Sequence, residues 1–353
     1  MGRGPDFVLH LPPASRFSRP VACFLGREIF LAQSTSSNPF FFLFMNAAIA
    51  DASSREVDPE QPAPTREDIA RHYDQLDRFY RELWGEHVHH GFWASGRESP
   101  EEAARALVDV VAARARIAPK SNVVDIGCGY GATARLLALE RLANVVGYTI
   151  SQAQYWYAQG QETARKNAQE EQALIDEEEN PRIILGDWLH NDLPDASQDA
   201  VVAIESVEHM ADKPAVFGEV ARVLRPEGRL VVCAWTAARD PKPWQRRRLL
   251  DPICREGRLA GLDREEDYVG WMTSAGLSVT GRDDVTDRVA KTWSICARRL
   301  LFGLVTQPRY LKFLMDGRND SRSFAKTLPR LWLAYRTGAL RYVIYTAYKP
   351  PVE

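Results

Sequence analysis

The chain has 353 residues, 45% of them apolar, with 45 basic against 47 acidic side chains. That length supports one sizeable domain with an added subdomain, or two domains, and the near-neutral balance gives no electrostatic case for nucleic acid, so a small-molecule partner is expected. Cys23, Cys128, Cys233, Cys254 and Cys296 are odd in number and contain no Cys-x-x-Cys pair, so neither a disulfide framework nor a zinc site is signalled and a reducing compartment is expected.

Residues 1–65 are broken by Pro12-Pro13, Ser34-Thr35-Ser36-Ser37, Pro59, Pro62 and Pro64, and read as a disordered leader. Its apolar run 39–45 falls far short of the about 20 residues that a membrane span needs, so no integral span is expected. The leader is poor in acids and carries four arginines ahead of Met45. Translation from Met45, giving a cytoplasmic protein, is the preferred reading; an organelle transit peptide directing the chain to a plastid is the alternative. Thr65-Arg66-Glu67-Asp68 then has the form of a capping box. It opens a helix over 69–83 with Ile69, His72, Tyr73, Leu76, Phe79, Tyr80 and Leu83 on one face, placed to lie over a bound cofactor.

A second helix is expected over 101–116, followed by a buried strand at Asn122–Ile126 and a helix at Ala132–Glu140. Strands near 144–149, 182–185, 200–204 and 229–235 alternate with helical patterns, the signature of a doubly wound, Rossmann-like α/β sheet. Segments 277–280 and 340–348 read as the last two strands. Two insertions, 239–263 and 284–338, are rich in Leu, Trp, Phe and Arg at helical spacing and should cap a single domain spanning 66–350. Most of the aromatics Trp244, Trp271, Trp293, Phe302, Tyr310, Phe313, Trp332 and Tyr335 should fill that cap's own core, and some should line a pocket for a greasy substrate.

The most informative stretch is Val123-Val-Asp125-Ile-Gly127-Cys-Gly129-Tyr-Gly131-Ala-Thr133, an apolar strand ending in an acid and then three glycines at alternate positions. Glycines on a strand-to-helix turn let a ligand touch main-chain N–H groups at a positive helix N-terminus. A phosphate-cradling loop would need Lys and Ser or Thr after its last glycine, but Ala132 follows. A nicotinamide fingerprint can be forced onto Gly127, Gly129 and Ala132, yet the acid expected about 20 residues on is missing. The second strand ends instead in Thr149-Ile-Ser151-Gln-Ala-Gln154. Asp125 suits a ligand bearing an ammonium beside a carboxylate, and S-adenosylmethionine (SAM) has both.

At these residues the segment 69–350 resembles the class I SAM-dependent methyltransferases, in particular their tocopherol methyltransferase branch and, more distantly, the cyclopropane-fatty-acid methyltransferases. In that resemblance Asp125, Gly127, Gly129 and Gly131 are similar to the first motif and hold the methionine end of SAM. Cys128 falls within this cofactor-binding loop, where small-residue packing explains it better than redox chemistry. Thr149 and Gln154 resemble the pair that replaces the usual ribose-binding acid. Gly186-Asp187-Trp188 resembles the adenine site, with Asp187 on the exocyclic amine and Trp188 against the ring. Ile204-Glu205-Ser-Val-Glu208-His209-Met210 is similar to the motif facing the transferred methyl, and His87-Val-His89-His90-Gly91-Phe92-Trp93 matches the same branch. The resemblance also implies that the last two strands form an antiparallel edge.

Methyl transfer from SAM is an in-line displacement, so the protein must chiefly align the nucleophile about 3–3.5 Å from the methyl carbon and exclude water. A phenol or protonated amine would also need a base, and the candidates are His209 first, then Glu208, His90 and His89. His87, His89 and His90 cluster, but no carboxylate or thiolate at ligand spacing joins them, so no metal is expected. The resemblance implies a hydrophobic acceptor, aromatic or prenylated, such as a chromanol or quinol. Carbon methylation or cyclopropanation of a lipid alkene, with Glu208 steadying a carbocation, and a non-catalytic SAM-binding scaffold are the alternatives. A monomer or homodimer is expected.

Overall fold

The computed structural model describes residues 63–170, 181–315 and 324–351, so the leader expected over 1–65 lies outside the described residues as far as residue 62. The first helix, α1 (Arg66–Leu83), starts at the capping box: the Thr65 side chain accepts from the Asp68 N–H, and the Asp68 side chain accepts from the Thr65 N–H. Its buried face carries Ile69, His72, Leu76, Tyr80 and Leu83. Helix α2 (Pro100–Arg114) begins at a second capping box, with Ser99 as cap and proline in its first turn, where a missing N–H does no harm.

Strands β1 (Asn122–Ile126), β2 (Asn144–Thr149), β3 (Arg182–Leu185), β4 (Gln198–Ile204) and β5 (Leu224–Ala237) are interleaved with helices α3 (Ala132–Glu140), α4 (Gln152–Glu170) and α5 (Lys213–Val223). With β6 (Ser278–Asp284) and β7 (Leu340–Tyr348) they build a seven-stranded sheet in the order β3-β2-β1-β4-β5-β7-β6. The first five strands run parallel, and β7 lies antiparallel to both β5 and β6. This is the expected doubly wound sheet with an antiparallel edge.

Two strand limits differ from the sequence reading, and each has a local cause. Strand β5 begins at Leu224 rather than 229 because Leu224 already pairs with Gln198, ahead of a register shift at which Glu227 takes a positive φ. Strand β6 continues to Asp284 through Arg282 and Asp283, whose polar side chains face outward on an edge strand and hide the alternation.

Alternate residues of β1 feed opposite faces: Val123 joins a core with α2, α3 and the cap, while Val124 joins one with α5 and α7 (Glu265–Ser274). The cap consists of helical turns Pro243–Gln245 and Arg246–Leu250, then α6 (Asp251–Gly257), and later α8 (Thr286–Val289), α9 (Lys291–Thr306), α10 (Pro308–Met315) and α11 (Phe324–Arg336). Leu250, Ile253, Trp293, Leu331 and Tyr335 share the core of the first face, so cap and sheet are packed as one body there. A buried Arg330–Glu256 ion pair, with Thr327 donating to the same carboxylate at 2.7 Å, ties α11 to α6. Helix α11 carries Pro329 in its interior. No helix among the described residues is long and apolar enough to cross a membrane.

Candidate active site

The glycine turn at the carboxyl end of β1 is compelled by space. Gly127 has φ +71°, and a Cβ there would stand 2.4 Å from the Ser206 Cβ, because Ser206 leans over to donate to the Ile126 carbonyl at 2.6 Å. Gly131 caps α3 in a left-handed conformation without any side-chain bond, leaving first-turn N–H groups at the positive end of the helix. The turn opens on a cleft of ≈ 310 Å³ whose lining includes Gly127, Gly129, Thr149, Gln154, Asp187, Trp188, Glu205 and His209. A smaller hollow of ≈ 30 Å³ adjoins it through Gly127 and Gly129 and is lined by Asp125, Cys128 and His89.

Asp125 is 2% exposed and its Oδ2 has no hydrogen-bond partner. Burial pushes its carboxyl up to about 7. An unpaired buried carboxyl beside the N–H groups of the α3 terminus fits the zwitterionic end of SAM, since the acid would meet an ammonium and the amides a carboxylate. Along the cleft, Thr149 donates to the Gln154 carbonyl oxygen at 2.8 Å. The Gln154 amide nitrogen is thereby turned to the glycine loop, 3.9 Å from where a Gly129 Cβ would lie. Asp187 caps a 3₁₀ turn by accepting from Leu189 N–H at 3.0 Å, and its second oxygen lies 3.5 Å from His190. Trp188 is 2% exposed, edge-on to Tyr148, and aims its indole nitrogen at the Val216 carbonyl, so it reaches the cleft from within the core.

Behind the donor cleft lies a second chamber. Tyr73, Val88, Glu205 and His209 line both spaces and so frame the aperture between them. Tyr80, Trp84, Trp235 and Trp293 supply aromatic walls, and Ile253, Leu259 and Leu331 supply the cap's aliphatic ones. Of the cap aromatics singled out from sequence, Trp293 therefore faces the chamber, whereas Tyr335 stands behind His90, Tyr310 bonds Glu82, Trp271 packs against the other sheet face, and Trp332 stacks with Arg336. Trp244 and Phe302 are exposed, and the Phe313 side chain lies outside what the structure describes.

At the aperture the His209 Nδ1 meets the Arg258 carbonyl at 2.9 Å, and a carbonyl can only accept. Nδ1 therefore holds the proton, Nε2 is the acceptor, and Tyr73 donates its hydroxyl to it at 2.8 Å. Burial pushes His209 down to about 4, so the ring is neutral near pH 7. Glu208, one residue back on the 3₁₀ turn Val207–His209, accepts the Trp235 N–H at 2.6 Å through Oε1, while its Oε2 has no partner. Burial pushes that carboxyl up to about 8.

The other two histidines point elsewhere. His90 is 1% exposed, donates through Nδ1 to Glu205 at 2.9 Å and meets the Tyr335 hydroxyl through Nε2 at 3.1 Å, so both ring nitrogens are engaged inside the protein. His89 donates through Nδ1 to the His90 carbonyl at 2.8 Å and borders the glycine hollow, not the second chamber; burial lowers its pKa. Sequence reasoning passed over Glu205 and Tyr73 as functional groups. Glu205, at φ +54°, collects the His90 backbone and ring N–H groups, the Trp235 indole and the Tyr342 hydroxyl. Burial alone would raise its carboxyl, but the adjacent His90 outweighs burial and holds it below the usual range. Its place beside Ile204 at the strand end was the available signal; for Tyr73 there was only its position on a helix face.

Fold and cleft together define a class I SAM-dependent methyltransferase, with SAM as its methyl donor. Residues 60–301 match the family model described as mycolic acid cyclopropane synthetase, and the chain belongs to that family. It is 30% identical over 289 residues to the 27-O-demethylrifamycin SV methyltransferase of Amycolatopsis mediterranei, covering 81% of this chain and 98% of that one. A probable chloroplastic tocopherol O-methyltransferase of Oryza sativa is 31% identical over 306 residues, covering 82% of this chain and 80% of that one. Among solved structures, mycolic acid cyclopropane synthase CmaA1 complexed with SAH and CTAB has the same fold, with a TM-score of 0.69 at 22% identity over 81% of this chain and 99% of that one. Relatives and chamber agree on a hydrophobic class of substrate.

Proposed function

We propose that this methyltransferase acts on a hydrophobic aromatic acceptor, a phenol or prenylated quinol, and that Tyr73 and His209 remove the acceptor's proton as the methyl arrives. The observation that carries this reading is the neutral Tyr73–His209 pair set in the aperture between a nucleoside-shaped cleft and an aromatic chamber. The tocopherol O-methyltransferase relatives support the acceptor class. When bound, SAM supplies an electrophilic methyl on a sulfonium. Asp125 and the glycine turn hold its amino-acid end, Thr149 and Gln154 its ribose, and Asp187 with Trp188 its adenine.

The proton path follows from magnitudes. A phenol near 10 facing an imidazole near 4 is separated from it by about six pK units, on the order of 8 kcal/mol against complete proton transfer before attack. The proton therefore leaves as the carbon–oxygen bond forms, from acceptor to Tyr73 and from Tyr73 to His209 Nε2. Glu205, an anion fixed by four donors, keeps segment His90–Gly91 and the aperture in place and adds negative potential to the donor cleft it lines, where it would favour a cationic donor. Helix α1 and the cap exclude water.

Purified protein with methyl-labelled SAM, offered phenols, amines and unsaturated lipids, tests the proposal: methyl ethers of phenols are expected. Family membership makes alkene methylation or cyclopropanation the reading to beat. Trideuteromethyl SAM singles out cyclopropanation, which delivers two deuterons where simple transfer delivers three, and identifying the methylated atom in the product separates phenol from alkene methylation.

A further inference from the structure

Resting on the phenol reading above, we infer that Glu208 recognises a second hydroxyl on the acceptor ring, so that the preferred substrates are dihydroxylated aromatics, not simple phenols. Two facts separate Glu208 from the reacting oxygen. Tyr73 and His209 line both the donor cleft and the chamber, so the oxygen that receives the methyl must sit at the aperture they frame. Glu208 lines the chamber and not the donor cleft, and so addresses a different part of the acceptor.

The side chain is fixed and incomplete. The cap holds this turn twice, by Ala260 N–H donating to the Glu208 carbonyl at 2.9 Å and by His209 bonding the Arg258 carbonyl at 2.9 Å. Oε1 is occupied by the Trp235 N–H, whereas Oε2 is buried without a partner in a 1% exposed residue. A buried polar atom left unpaired in a preformed site marks where a ligand group completes the bonding. The neighbouring walls, Trp84, Ile253, Leu259 and Leu331, are apolar and suit ring faces and alkyl substituents, while Trp293 adds a ring with a buried indole N–H to a chamber of ≈ 50 Å³. A hydroxyl satisfies Oε2 in either protonation state, donating to the carboxylate or accepting from the acid, whereas an ammonium needs the ionised form that burial opposes.

The test uses the full chain, labelled SAM and two acceptors with the same alkyl tail, one a hydroquinone and the other the phenol lacking the second hydroxyl. The wild type should favour the hydroquinone in kcat/KM by about 100-fold, the upper end of what one buried acceptor left unpaired costs, because the phenol leaves Oε2 without a partner. In Glu208→Leu that ratio should fall to within about threefold, with the SAM dissociation constant unchanged by calorimetry, while Glu208→Gln keeps most of it. A wild-type ratio near one overturns the inference and leaves the phenol reading standing, and it decides the matter even if the Leu variant does not fold. Equal losses on both acceptors in a folded Glu208→Leu also overturn it. Absence of turnover on either ring removes both readings, and faster turnover of an amine than of any phenol does the same.

Discussion

The Tyr73 hydroxyl and the His209 Nε2, 136 positions apart in the chain, share a 2.8 Å hydrogen bond that joins the first helix to the turn after the fourth strand. The helix that lines the donor cleft thus also supplies half of the proton path proposed above.

Removing either half should slow chemistry without loosening the donor. Tyr73→Phe and His209→Ala are each expected to lower kcat by about 10²–10⁴-fold, the usual contribution of a positioned base. Both should leave the SAM dissociation constant within twofold by calorimetry. The double variant should be little worse than the worse single one, since the residues act as a unit. Independent, multiplying losses would show that they do not share a proton.

SAM binding should depend on pH through Asp125. Its carboxyl titrates near 7 in the free protein, above the unfolded value near 3.9, so between those values the folded chain binds more protons than the unfolded one. Stability of the free protein should therefore fall as pH rises from about 4 to 7, and the raised Glu208 extends the decline to about 8. A bound ammonium favours the ionised carboxylate, so SAM affinity should weaken by up to about tenfold per unit below pH 7, with proton release on binding. Calorimetry in buffers of different ionisation enthalpy measures that release. Asp125→Asn should abolish it, weaken SAM at least tenfold, and leave the free protein no less heat-stable at pH 8.

Two glycines should answer alanine in opposite directions. At Gly127 the added methyl meets Ser206 at 2.4 Å in a left-handed conformation, and a loss of about 2–4 kcal/mol is expected from backbone strain and crowding. At Gly160, exposed on α4 with nothing within 4 Å of the added atom, a gain of about 0.5–1 kcal/mol is expected. Denaturant melts of the two variants check both signs.

Glu205→Ala should be the most damaging of the site substitutions to the fold. It strands the donors of His90, Trp235 and Tyr342 inside the protein and should cost about 3–5 kcal/mol, a large part of a typical domain's total stability. Thermal unfolding reads the loss, and Glu205→Gln, whose amide nitrogen cannot accept from a donor that now bonds one of the two oxygens, should recover only part of it.

The fold was legible wherever local rules and burial agree. The parallel strands β1, β2 and β4 are short, mostly apolar runs closed by polar or glycine residues, and Thr65 to Asp68 announced the start of the first helix. The residues assigned to the donor were picked out by position, because Asp125, the glycines, Thr149 and Asp187 lie at or just beyond strand ends, where such sheets bind ligands, and Gln154 follows on α4. The acceptor side was not. Its key contacts, Tyr73 with His209 and His90 with Glu205, span 136 and 115 positions, and nothing local to either residue records them. His89 and His90 looked alike in sequence and are both buried, and only their partners separate them, His90 bonding Glu205 and His89 bordering the glycine hollow.

Pro329 sits inside helix α11, which contributes Thr327 and Leu331 to the chamber wall. A proline there cannot donate to the preceding turn, so the wall contains a joint weaker than the strands it faces. Whatever give the chamber wall has should therefore concentrate between Thr327 and Leu331, on the one helix face that the acceptor would press against.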